Sequence, residues 1–169
     1  MPVETTFLAL GSNLGRREAN VLRALRHLDS GGLTLLAVSS LYESAPAEGV
    51  GGGDFINAVA KVRSLLCPDD LLNRLQTIEK LMGRSGDHNR PREIDIDILT
   101  YGNVVMRSPD LALPHPRYAK RVFVLVPLRE VAPGFLCPLS GRGVDELVAS
   151  LGPVRITQVS RRSIVAASL

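Results

Sequence analysis

The 169-residue chain has no tryptophan, and its seven aromatic residues are four phenylalanines and three tyrosines. A surface that binds nucleic acid through stacked rings is therefore hard to assemble, and the aromatic motif of RNA-recognition sheets is absent. There are two cysteines, Cys67 and Cys137, far apart and without C-x-x-C spacing. They suggest neither a zinc site nor a disulfide framework, and a reducing cytoplasm is the expected compartment. No apolar run reaches the ~18–20 residues that a membrane helix needs. No basic segment precedes the short apolar stretch at the start, which carries Glu4; it reads as a first strand and not as a secretory signal. The glycine stretch 49–53 lacks the lysine and following helix of a phosphate-binding loop, and reads instead as a mobile lid. Internal repeats, low-complexity tracts and long linkers are also missing.

What is present is ordinary in bulk: 45% apolar residues, 22% charged and a net charge of +3. Those values fit one soluble domain spanning 1–169, with no room for a second catalytic domain. So mild a positive charge suits a small anionic substrate as well as nucleic acid.

Periodicity predicts a strand over residues 3–10, a turn at 11–15, a helix over 16–28 and a long strand over 33–44. A glycine-rich loop over 46–53 leads to a strand at 55–62. Pro68 and Asp69-Asp70 open a helix over 68–82 with its apolar stripe at Leu71, Leu72, Leu75, Ile78 and Met82. A basic loop precedes a strand of strict alternation over 94–101, followed by an extended piece at 104–106. Short helical pieces over 117–131 and 144–151 come next, and the tail offers one edge strand. The order β-α-β-β-α-β predicts an α+β, ferredoxin-like antiparallel sheet. Its helices lie on one face, its other face is free for ligand, and a C-terminal extension follows.

Chemistry concentrates in residues 90–99. Alternation sends Ile94, Ile96 and Ile98 into the core and turns Asp95 and Asp97 to the other face, roughly 6–7 Å apart. Two carboxylates on a rigid strand suit Mg²⁺, with phosphate oxygens and water completing its shell. A D-x-D pair alone is usually an acidic strand face, and a basic loop alone is usually solvated. Here Arg84, His88, Arg90 and Arg92 adjoin the acidic pair, and metals beside guanidinium groups are what a nucleoside triphosphate requires. A second basic wall combines His115, whose flanking prolines restrict its backbone, with Arg117, Lys120 and Arg121 at helical spacing. A third cluster is Ser44-Ala45-Pro46 with Phe55 and Asn57, which share a strand face. A ring can cover a flat heterocycle while an amide reads its edge; Phe55 is equally a core residue on this reading, and Phe123 is a second candidate ring.

These segments resemble a known family. LALGSNLG, VSSLYESAP, DFINAVAKV, IEKLMGR, NRPREIDIDIL, LPHPRYAKRVFVLVPL and EVAP are similar to landmarks of the 6-hydroxymethyl-7,8-dihydropterin pyrophosphokinases. The likeness spans about residues 7–138, and its most specific element is P-R-x-x-D-x-D-I-L followed by Pro114-His115. It implies transfer of diphosphate from ATP to the pterin hydroxymethyl oxygen, with release of AMP, in folate biosynthesis. It implies two Mg²⁺ on Asp95 and Asp97, with Arg84 and Arg92 joining them as catalytic residues. ATP would be bound by Gln76, Glu79, Arg84, Arg92, Ile98, His115, Arg117 and Arg121. Ser44, Ala45, Pro46, Phe55, Asn57, Asp95 and Phe123 would hold the pterin. A cytoplasmic monomer without nucleic-acid or membrane partners is expected. Ala45, Asn89 and Pro116 depart from residues found in some members, and the loop between Arg84 and Arg92 is shorter. The competing expectation is a non-catalytic ferredoxin-like module that binds a small molecule or RNA.

Overall fold

The computed structural model describes residues 3–46, 51–84, 90–152, 156–160 and 164–165. Strand β1 (Glu4–Ser12) is followed by α1 (Arg17–Leu28), β2 (Leu33–Val38), β3 (Leu41–Ser44), β4 (Phe55–Ser64) and α2 (Pro68–Leu81). Then come β5 (Asp95–Tyr101), the short pair β6 (Met106–Arg107) and β7 (Ala112–Leu113), a 3-10 turn at Tyr118–Lys120, α3 (Val122–Val131) and α4 (Val144–Ala149). The tail adds β8 (Thr157–Ser160) and β9 (Ile164–Val165). The main sheet runs β5-β1-β4-β2-β9, with β3 also on β4 and β8 on β3, and its paired strands are antiparallel.

Alternation along β1 divides the molecule into two cores. Leu8 and Leu10 face α1 and α2, where they join Val21, Leu25, Leu28, Leu71, Leu75 and Ile78, with Ile96 and Ile98 from β5. Phe7, Val59 and Leu99 face the other way, onto Tyr118, Leu125, Leu128, Phe135 and Leu147. Phe7 and Tyr118 both meet Phe135 edge to face, with centroids 5.6 and 6.2 Å apart, the arrangement that ring quadrupoles favour. The sequence predicts that this second face is free for ligand, but only part of it is. The helices of the C-terminal extension cover half of it, because α3 is apolar on the side that meets β4 and Leu99.

Three local expectations also change. The predicted strand 33–44 is two strands. Val38 pairs with Ala60 and Tyr42 with Asn57, so one extra residue is inserted on this side of the ladder. Ser39 absorbs the insertion: its N–H donates to the Val59 carbonyl at 2.9 Å, and its Oγ accepts from the Val59 N–H at 2.9 Å. Such an insertion bends and twists a strand. The strict alternation of β5 also fails near its end. Phe7 pairs with Thr100 but Leu8 with Ile98. Leu99 is the extra residue, and Tyr101 is turned onto the α1/α2 face, where its hydroxyl donates to the Leu66 carbonyl at 2.6 Å. Finally, the tail contributes two short strands rather than one.

Cys67 and Cys137 are free thiols. Among the described residues no helix is long and apolar enough to cross a membrane.

Candidate active site

The site grows from the strand register. Gly11 of β1 lies between Asn57 of β4 and Asp95 of β5, and Ala9 lies between Val59 and Asp97. Large aliphatics of β1 point to the α1/α2 core, so beyond Phe7 this face of the central strand shows only a methyl group and a hydrogen. That leaves a hollow bounded by Phe55, Asn57, Asp95 and Asp97, with Arg92 at one rim and Ser44 and Ala45 at another. Arg121, Phe123 and Val124, where α3 begins, close the far side. A Cβ on Gly11 would stand 3.4 Å from the Phe55 ring and 3.5 Å from Asn57 Oδ1. Glycine thus keeps the floor low between ring and amide. Asn57 Nδ2 donates to Ser44 Oγ at 2.9 Å and to the Tyr42 carbonyl at 3.3 Å. Its nitrogen is held toward β3, and its oxygen lies on the side of Gly11.

The two carboxylates share a face as alternation requires, and each has cationic company. Asp95 meets Arg84 at 2.9 Å and Arg92 at 3.0 Å. Asp97 meets Arg121 at 3.2 Å and His115 Nε2 at 3.7 Å. Burial pushes the Asp95 pKa up, and the neighbouring Asp97 charge adds to that, against the pull of Arg92, Arg84 and Arg121. Burial lowers the pKa of His115, partly offset by Asp97. The Arg117 N–H donates to His115 Nδ1 at 3.1 Å, so the neutral ring carries its proton on Nε2, facing Asp97. Arg121 also lies 5.6 Å from the centroid of Phe123, as a cation over a ring face.

Behind this pair sits Glu79 of α2, nearly fully buried. Its carboxylate is bonded to Arg84 and accepts the Ile96 N–H at 2.7 Å. Burial pushes its pKa up to about 7, against the opposing pull of the Ile96 hydrogen bond and Arg84. Glu79 thus ties α2 to the backbone between the two aspartates and holds the arginine that reaches Asp95.

A second cavity opens along the outer edge of β5. It is lined by Leu72 of α2, Ile96, Asp97 and Ile98, by 107–112 around the β6–β7 turn, and by His115 and Pro116. Asp97 borders both cavities.

The residues singled out from sequence distribute as follows. Ser44, Ala45, Phe55, Asn57, Arg92, Asp95, Asp97, Arg121 and Phe123 line the first cavity, while Ile98 and His115 line the second. Arg84 reaches Asp95 from the end of α2. Pro46 is half-buried just past Ala45, and Gln76 is exposed on α2, one turn beyond Leu72. The Arg117 side chain is exposed, and its backbone N–H supports His115. Arg90 is exposed; His88 and Asn89 lie outside the described residues, as does part of the glycine-rich loop.

Sequence reasoning missed Ala9 and Gly11, although small residues breaking an aliphatic strand were a readable signal. It also missed Arg107 and Asp110 of the second cavity, which carry no pattern. Asn13 was missed too. Its Oδ1 accepts from the Arg92 N–H at 2.9 Å, its own N–H donates to the Arg92 carbonyl at 3.2 Å, and its Nδ2 donates to the Gly51 carbonyl at 3.0 Å. One buried amide thereby joins the loop after β1, the glycine-rich loop and the arginine approach to β5. Gly52 packs against it at φ +101°, where an added Cβ would collide with Asn13 Nδ2 at 2.7 Å.

Residues 7–133 match the family described as 7,8-dihydro-6-hydroxymethylpterin-pyrophosphokinase. The chain belongs to that family. It is 38% identical over 143 residues to the 2-amino-4-hydroxy-6-hydroxymethyldihydropteridine pyrophosphokinase of Aquifex aeolicus, covering 84% of this chain and 89% of that one. It is 40% identical over 142 residues to the folic acid synthesis protein fol1 of Pneumocystis carinii, covering 83% of this chain but 19% of that much longer one. A crystal structure of Plasmodium falciparum HPPK-DHPS superposes with a TM-score of 0.72 at 16% identity, over 88% of this chain and 43% of that one. That likeness shows the fold. The matched stretch contains both cavities and the carboxylate pair between them.

Proposed function

We propose that this chain transfers diphosphate from ATP to the hydroxymethyl oxygen of 6-hydroxymethyl-7,8-dihydropterin, a step in folate biosynthesis. The observation that carries this reading is the position of Asp97, on the border of two cavities and beside Asp95. The flat pterin occupies the hollow between Phe55 and Phe123, with Asn57 at its edge and Ser44, Ala45 and Pro46 along the rim. ATP occupies the outer cavity against Ile98 and His115, with Gln76 and Arg117 at its edge and Glu79 holding Arg84. The triphosphate then runs past Asp97 toward the hydroxyl.

Asp95 and Asp97 suit Mg²⁺: they are two partly open carboxylates on one face, facing the cavity. Among the described residues no cluster of three or more acidic, histidine or cysteine side chains closes a metal site. That is the donor set of an ion whose remaining ligands are phosphate oxygens and water. Two ions are proposed, and when bound they would neutralise triphosphate charge and orient the reacting oxygens.

The remainder falls to the side chains. The hydroxyl oxygen bonds to the β-phosphorus, the bond from that phosphorus to the α-bridging oxygen breaks, AMP leaves, and the hydroxyl proton passes to solvent. Transition states of this kind demand alignment and charge stabilisation more than a strong base. Arg84 and Arg92 release Asp95 to bind phosphate oxygens with their planar forks, and Arg121 and His115 Nε2–H do the same from the side of Asp97. Closure of the loops joined by Asn13 excludes water.

We further read the order β5-β1-β4-β2 as the ferredoxin-like split βαβ arrangement, and propose a cytoplasmic monomer whose partners are its two substrates. Family membership favours this enzyme over a non-catalytic binding module. Incubation with ATP, Mg²⁺ and the dihydropterin should yield AMP and pterin diphosphate in equal amounts. Release of ADP, or no AMP, would overturn the assignment.

A further inference from the structure

Away from both cavities, Glu130 near the C-terminal end of α3 gathers four hydrogen bonds. The Ser40 N–H donates to its two oxygens at 3.0 and 2.9 Å, Ser40 Oγ donates at 2.8 Å, and the Tyr42 hydroxyl donates at 3.0 Å. Ser40 Oγ also accepts from Gln158 Nε2 at 3.0 Å. A single carboxylate thus fastens α3 to the step between β2 and β3, and Ser40 Oγ holds β8 at the same point.

The position matters because this step feeds one wall of the inner cavity and α3 forms another. Glu130 is seven residues after Phe123, two helical turns along, and so on the same side of α3. From Tyr42 the chain runs directly to Ser44 and Ala45. Tyr42 also pairs with Asn57, and its carbonyl accepts from Asn57 Nδ2. The outer cavity is lined instead by α2, β5, the β6–β7 turn and residues 115–116, whereas the hydrogen bonds to this carboxylate come from Ser40 and Tyr42. Burial and the Glu130 hydrogen bond raise the Tyr42 pKa to about 12, so the phenol remains a donor at working pH.

We propose that Glu130 is a positioning residue for the inner cavity: it sets the distance between the wall formed by β3 and its partner β4 (Ser44, with Ala45 just beyond it, and Asn57) and the α3 wall (Phe123), and so the grip on a flat heterocycle. This rests on the pterin reading of that cavity. Binding of the dihydropterin should be measured by fluorescence in the presence of a nonhydrolysable ATP analogue and Mg²⁺. Binding of the analogue alone should be measured separately, and melting temperatures recorded for each variant.

Glu130→Ala should weaken dihydropterin binding about tenfold, the scale of losing hydrogen bonds to a charged acceptor, while analogue binding stays within about twofold. Glu130→Gln keeps the shape and one acceptor, and should restore most of the loss. Tyr42→Phe, which removes one donor, should weaken pterin binding about two- to threefold with the fold intact; it carries the test by itself if Glu130→Ala does not fold. Equal losses for both ligands, or unchanged pterin binding in Tyr42→Phe and Glu130→Ala, would overturn the proposal. Failure of the unsubstituted protein to bind the dihydropterin would instead overturn the functional reading beneath it.

Discussion

The two faces of the sheet are built from the same strands yet do different work. Toward α1 and α2, β1 contributes Leu8 and Leu10, β5 contributes Ile96 and Ile98, and the face closes into an apolar core except at the outer edge of β5, where Ile96 and Ile98 border the second cavity. Toward α3 and α4, the same strands contribute Ala9, Gly11, Asp95 and Asp97, and the helices cover only the half around Phe7, Val59 and Leu99. One face gains stability by burying apolar area. The other gives some of it up, because a hollow with two carboxylates cannot be packed. The lesson is that period-two alternation lets one strand serve as core and as site, so substitutions of apolar residues packed far from Glu79 on one side should have little effect on the other.

Substitutions on each face can break that separation, and the largest effect belongs to the open face. Asp97→Ala should lower turnover on the order of a thousandfold, the scale of losing a metal-clamping and charge-stabilising group, while the melting temperature stays near that of the unsubstituted protein. Near-normal turnover with Mg²⁺ present would remove the metal role. On the closed face, Leu25 is fully buried against the sheet. Leu25→Ala should cost about 2–5 kcal/mol of stability in denaturant unfolding and leave the KM values of the folded protein unchanged. A selective rise in one KM would show that the faces are coupled. The smallest effect sharpens the comparison within the open face. Phe55→Ala should weaken pterin binding about tenfold, the scale of losing a ring that covers a heterocycle, and ATP binding much less. Equal losses would count against stacking.

Much of this separation was legible in the chain. Ile94, Ile96 and Ile98 alternate with Asp95 and Asp97, and alternation alone places the acids together. The stripe from Leu71 to Ile78 likewise announces which side of α2 is buried. The illegible parts are those where a side chain replaces a backbone partner. Ser39 restores a ladder that has gained a residue, Asn13 ties three loops, and Glu130 bonds to Ser40 and Tyr42 some ninety residues away. Such contacts depend on tertiary approach, and periodicity does not encode them. The bulge at Leu99 and the covering of the second face by α3 escaped for the same reason: both are settled by packing between segments distant in the chain. Likewise, Glu79 falls on the apolar side of α2, but the sequence does not show its attachment to Ile96 and Arg84.

The proposed diphosphate transfer depends on cations bridging ATP to the paired aspartates. A crystal grown with a nonhydrolysable ATP analogue and Mn²⁺ in place of Mg²⁺ tests this directly through the anomalous signal of the metal. The expected result is metal coordinated by Asp95 and Asp97 and by the analogue's phosphate oxygens, with Arg84 and Arg92 turned from carboxylate to phosphate. Ordered nucleotide with no metal at either carboxylate, or with its phosphates held elsewhere, would contradict the account.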